Sequence, residues 1–101
     1  MQAPLDTVEA CRLAGLLLQR QSLDAVLALH FLQDQQLLVE WVELTLAIAR
    51  LHWTIGETAE ACLEYEQALA AVPMLIIDMD YYSVALMLEG KIDVLHKLYL
   101  R

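Results

Sequence analysis

The chain has 101 residues, 59% of them hydrophobic, with a formal net charge of −8 and a mean hydropathy of +0.49. That length makes one domain, and that charge argues against nucleic acid and anionic lipid as partners, whose phosphates it would repel. With 3 Gly and 2 Pro there is little room for long loops or disorder, and a composition rich in Leu, Ala, Glu and Gln favours helix over strand.

In chain order, residues 1–5 read as a frayed lead-in. Asp6 and Glu9 have capping-box spacing, the Asp accepting an orphan N–H while the Glu reaches back. A first helix is expected to about residue 19, with Val8, Leu13, Leu16 and Leu17 on a broad apolar face. Ser22 is read as the cap of a second helix carrying Leu23, Val26, Leu27, Leu29, Phe31 and Leu32. That helix is apolar on more than one side, which suggests burial between neighbours. Asp34, Gln35 and Gln36 form the next turn, and the longest helix spans 37–53. Thr54-Ile55-Gly56-Glu57 breaks it, because Gly supplies the backbone freedom of a sharp turn. A fourth helix over 58–71 stops before Pro73, with Ala61, Tyr65 and Ala68 on one face. Met74 to Ile77 form an apolar connection, and Asp78 or Asp80 can cap a fifth helix containing Tyr81, Tyr82, Val84, Leu86 and Met87. Gly90 turns the chain into a sixth helix over 92–100, with Leu95, Leu98 and Tyr99.

The residues offer little to catalysis. His30, His52 and His96 share no helical face, and no His or Cys pair has the short spacing of a metal site. Cys62 has no His or Lys nearby in sequence to lower its pKa, so Cys11 and Cys62 are read as buried reduced thiols. The three Gly are isolated from one another, so there is no phosphate-binding loop. No enzyme activity, metal or cofactor is expected. No basic segment precedes an apolar core at the N-terminus. The longest apolar stretch, 37–51, is interrupted by Glu40, Glu43 and Arg50 and is unsuited to span a membrane. A cytoplasmic location is the expectation.

The stretch 42–75 has a second layer of information. Ala49, Gly56, Ala61, Tyr65, Ala68 and Pro73 stand where the tetratricopeptide repeat (TPR) pattern of about 34 residues has a small residue, Gly, Ala, an aromatic, Ala and Pro. The stretch resembles that family, although Thr45 and His52 replace the bulky aromatics of its first helix. Stepping by 34 residues relates small Gly15, Ala49 and Ser83, aromatic Phe31, Tyr65 and Tyr99, and turn residues Ser22, Gly56 and Gly90. Leu27, Asp34 and Leu95 depart from the pattern's Ala positions. The resemblance implies an all-α fold of three stacked helical hairpins in a right-handed solenoid, with units of about 8–41, 42–75 and 76–101. On that register Gly15, Ala49 and Ser83 mark close helix approaches, and the three aromatic rings pack between successive helices.

TPR arrays bind along a concave face built from the first helix of each unit. Carried onto this chain, that face takes Glu9, Arg12, Leu16 and Gln19, then Glu43, Leu46, Arg50 and Trp53, then Ile77, Asp80, Val84 and Met87. Leu16, Leu46, Trp53, Val84 and Met87 would floor a partner-binding groove, with Glu43 and Arg50 setting register at its rim. Leu46 and Val84 suit the inter-helix core equally well. The family's clamp for acidic chaperone tails needs Asn and Lys in the groove. Glu43 stands at the Asn position and the groove has no Lys, which argues against that clamp. The resemblance implies a non-enzymatic protein-binding module, a small chaperone or co-chaperone holding an amphipathic or extended segment of a partner. In size, acidity and repeat count the chain is similar to the needle-subunit chaperones of type III secretion systems. The alternative is a segment of a larger TPR scaffold, because the last helix lacks a polar cover and could also mediate oligomerisation.

Overall fold

The computed structural model describes residues 7–29, 34–73, 75 and 77–100. Within them the chain forms five helices: α1 (Thr7–Leu29), α2 (Gln35–Thr54), α3 (Thr58–Ala71), α4 (Met79–Leu88) and α5 (Ile92–Tyr99). Each packs on the next, and α2 also touches α4. The assembly is a flat slab, 39 × 39 × 16 Å. The fold is therefore all-α, as expected. Asp6 and Phe31, and with them the capping box and the first of the three aromatic positions, lie outside the described residues.

Local chemistry explains most of the boundaries. Asp34 caps α2 by accepting a hydrogen bond from the Leu37 N–H at 3.1 Å. At the other end of α2, Gly56 takes φ +84°, and its N–H donates to the Trp53 carbonyl while that of Glu57 donates to His52. This pair of bonds is a Schellman closure, which requires a left-handed residue and hence favours Gly. The end of α4 is closed identically. Gly90 takes φ +72°, its N–H donates to Met87, and that of Lys91 donates to Leu86. Every member of the second closure lies 34 residues after its counterpart, as do the end of α4 after that of α2 and the start of α5 after that of α3. The turns that join α2 to α3 and α4 to α5 are thus equivalent in backbone, although α4 and α5 are shorter than α2 and α3.

The first hairpin of the expected three does not form. Residues 7–29 are one continuous helix, and Ser22 lies in its interior rather than at a turn. The physical reason is the residue itself. At the positions of Gly56 and Gly90 the chain needs φ > 0, which costs a residue with a Cβ about 1–2 kcal/mol. Ser inside a helix costs under about 0.7 kcal/mol. With good helix formers on both sides, residues 20–22 continue the helix.

Two apolar clusters hold the slab together. The larger joins α2, α3, α4 and α5 around Leu46, Ala49, Tyr65, Tyr82, Leu86 and Leu98. The smaller joins α1 to the other side of α2, where Leu13 meets Ile48, Leu51 and Ile55, with Leu16 and Leu44 at its edge. Ala49 and Ser83, two of the three positions expected at close approaches, are buried. The close approach is missing at Gly15, where an added Cβ would meet nothing within 4 Å. Tyr65 is fully buried against Tyr82 of the following helix, ring centroids 5.3 Å apart. Tyr99 is 68% exposed, although its hydroxyl shares a 3.0 Å hydrogen bond with Ser83. Among the described residues no helix follows α5 to cover that ring, so the aromatic equivalence does not extend to Tyr99.

Candidate functional site

The exposed face of the molecule is organised by the pairing of α2 with α4. Arg50 Nε donates to Asp78 Oδ2 at 2.6 Å. One turn further along both helices, Trp53 stacks on Tyr81, ring centroids 5.3 Å apart and planes 20° from parallel. Both contacts relate residues 28 apart, so α2 and α4 run side by side in the same direction. Asp78 is held a second time, by the Tyr65 hydroxyl of α3 at 3.0 Å. Burial, the hydrogen bond to Asp78 and that carboxylate's charge together push the Tyr65 phenol above its ordinary range. A link between the two turns completes the brace: Thr58 Oγ1 donates to Glu89 Oε2 at 2.7 Å.

Beyond this brace, α4 presents Tyr81, Val84 and Met87 at helical spacing, 44%, 43% and 58% exposed. In the opposite direction along α2, exposed Glu40 and Glu43 line a hollow of about 380 Å³ between α1 and α2, together with Gln19, Leu23, Leu44 and Ala47.

The expected contact residues divide accordingly. Arg50 and Trp53 of α2 contact Asp78 and Tyr81 at the start of α4, Val84 and Met87 are exposed further along α4, and Glu43 is exposed on α2 at the hollow. Leu46 does not reach the surface: it is 8% exposed and belongs to the larger core shared with residues of α3, α4 and α5. Leu16 lies half-buried at the edge of the smaller core. Sequence reasoning missed Tyr81 as part of the face. Its spacing to Val84 and Met87, three and six residues, carried that signal.

A buried polar cluster lies where α1 packs on α2 and Arg20 reaches across to α3. Arg20 Nη1 of α1 forms an ion pair with Glu64 Oε2 of α3, the side chains 15% and 9% exposed. Burial lowers the Arg20 pKa from its ordinary value, opposed by Asp24. His52 of α2 is buried, with Nδ1 3.6 Å from Glu57 Oε2. Its pKa is lowered, first by desolvation and also by Arg20, against the opposite pull of Glu57 and Glu60. Trp41 Nε1 donates to Asp24 Oδ1 at 2.6 Å and ties α2 to α1 once more. Cys62 is fully buried and burial pushes its thiol up to about 11, so it stays protonated near neutral pH. Cys11, expected to be buried, is exposed. Among the described residues no group of three or more His, Cys, Asp or Glu is arranged to hold a metal ion. No helix among them is long and apolar enough to cross a membrane.

Comparison with protein-family models, with curated proteins and with solved structures found no match.

Proposed function

We propose that the chain is a non-enzymatic protein-binding module of the TPR kind, acting as a small chaperone or co-chaperone. It would hold an amphipathic segment of a partner along the α2–α4 face, with the cytoplasm as the expected compartment. The observation that carries this reading is the equivalence of the two hairpin turns at 34 residues, with the helices before them side by side and in the same direction. That arrangement supports a short helical solenoid of two repeats, preceded by α1 as a single long helix. The braced aromatic pair Trp53–Tyr81 and the exposed Val84 and Met87 then supply anchors of the type that dominate protein interfaces. A type III secretion chaperone is the proposed setting on size and acidity.

The scaffold reading is favoured by a separate observation. Ile92, Tyr99 and Leu100 leave an exposed apolar surface on and just beyond α5, where a further repeat or a second copy could stack.

Site-specific photocrosslinking in cells separates the two. A photoreactive residue at Val84 should give a discrete crosslinked protein, and one at Leu63, exposed on α3, should not. Met87→Asp, on an exposed position, should abolish the Val84 product while leaving helix content unchanged. Crosslinks arising only from Tyr99 or Leu100 would favour the scaffold, and crosslinks of equal yield from Val84 and Leu63 would remove the face assignment.

A further inference from the structure

We infer that the α2–α4 face is built for a basic amphipathic helix, with Lys or Arg at one end and apolar side chains at the other. The inference rests on the binding-face reading above and specifies the partner's chemistry.

It follows from how charge and apolar surface are distributed along the face. Because Arg50 meets Asp78 and Trp53 meets Tyr81, positions on the two helices can be placed on one axis. Glu43 lies ten residues before Trp53, and Met87 six residues after Tyr81. At about 1.5 Å per residue, that separates Glu43 and Met87 by roughly 24 Å along the helix direction, the length of a helix of about 16 residues. One end of this track carries exposed Glu43, with Glu40 beside it where α2 borders the hollow it shares with α1. The middle adds exposed Asp80. The other end is Tyr81, Val84 and Met87. Arg50 is the one Lys or Arg in α2 and α4, and its charge is taken by Asp78 at 2.6 Å. The track is therefore acidic along half its length and apolar along the rest.

Charge complementarity selects the occupant. A cationic side chain reaching Glu40 or Glu43 gains attraction at the rim, and the net charge of −8 steers such a partner to the surface. An acidic helix is repelled by both. The same charge disfavours a second copy of this chain, whose corresponding face is equally acidic, and an anionic membrane.

The test uses two fluorescein-labelled synthetic helices of about 18 residues with identical Leu and Met positions. One carries Lys and Arg at the polar positions of one half, the other Glu. Binding to the full chain is followed by fluorescence anisotropy. The basic peptide should bind and the acidic one should not. Its affinity should fall as salt rises from about 50 to about 300 mM. Glu43→Lys should weaken it about tenfold, whereas Asp93→Lys, an equal charge change on exposed α5, should weaken it less than about threefold. Met87→Ser should weaken it at every salt concentration. Equal binding of both peptides, abolished by Met87→Ser, would overturn the basic preference and leave the binding face standing. Equal weakening by Glu43→Lys and Asp93→Lys would reduce the attraction to overall charge and overturn the inference. Binding of neither peptide, or binding indifferent to Met87→Ser, would overturn the face as well.

Discussion

Arg20→Met should be among the most damaging single substitutions in the chain. The guanidinium reaches from α1 to Glu64 on α3 across a sequence separation of 44, and the two side chains are 15% and 9% exposed. Removing Arg20 leaves the Glu64 carboxylate without its counter-charge in an environment that cannot solvate it. For a pair buried to this degree, such a loss costs about 3–5 kcal/mol. At about 4–8 °C per kcal/mol for a domain near 100 residues, the melting temperature should drop by at least roughly 12 °C. The pair's own net worth is a different quantity, because burying both charges carries its own desolvation cost. The double variant Arg20→Met, Glu64→Leu should accordingly recover to within about 1 kcal/mol of the parent. The assay is urea and thermal unfolding by far-UV circular dichroism on the parent, both single variants and the double, with the urea slope checked for constancy. A loss below about 1 kcal/mol in Arg20→Met would place the pair in the range of surface salt bridges and refute the claim that it keys α1 to the hairpin.

Tyr65→Phe keeps the buried ring and removes only the hydroxyl that holds Asp78. It should cost about 1–3 kcal/mol, against about 3–5 for Tyr65→Ala, and equal losses in unfolding experiments would deny the hydrogen bond a role. The glycines should respond with opposite signs. Gly56→Ala, at φ +84°, should cost about 1–2 kcal/mol, whereas Gly15→Ala, mid-helix with open space at its Cβ, should gain about 0.5–1 kcal/mol. Melting temperatures that move in the same direction would count against one of the two environments. His52 should titrate below the ordinary imidazole value of 6.5. Below that value the unfolded state binds the proton first, so stability falls as pH drops through 6.5 towards the folded pKa. An NMR titration placing His52 at or above 6.5 would contradict its burial.

How much of this was legible beforehand depended on which physical term decided each feature. The limits of α3, 58–71, follow from Gly56 before it and Pro73 after it, both backbone effects that any context respects. That Val84 and Met87 would be exposed on α4 was compatible with helical spacing, which by itself does not say what lies beside them. Ser22 matches the turn position in size but not in backbone freedom, because the turn at Gly56 and Gly90 needs φ > 0 rather than a small side chain. Leu46 departs from expectation for another reason. On a helix packed on several sides, a three-four spacing cannot say which apolar stripe meets α3 and which meets solvent, and tertiary packing assigned Leu46 to the core. The Arg20–Glu64 pair joins residues on two helices that no local rule relates, and nothing in the sequence pattern marked it.

The difference between α1 and the two hairpins has a consequence for how the face is presented. A hairpin stacked ahead of α2 would offer two short helices, and its first would extend the α2–α4 track. The uninterrupted α1 instead lays Leu13 against Ile48, Leu51 and Ile55 and sets Arg20 against Glu64. It covers the apolar side of α2 that faces away from α4, using one element where an array would use two. Contacts from α1 on that side and from Asp78 and Tyr81 on the other fix the orientation of α2 before any partner arrives. A helix held on both flanks loses little freedom on binding, so contacts made to its exposed stripe are not offset by ordering it. The α5 end has no such second flank among the described residues. Its exposed Ile92, Tyr99 and Leu100 would have to order as well as bury in any contact they make. The same apolar area would therefore be worth more beside α2 than on α5, which supports the proposal of a binding face along α2 and α4 over one on α5.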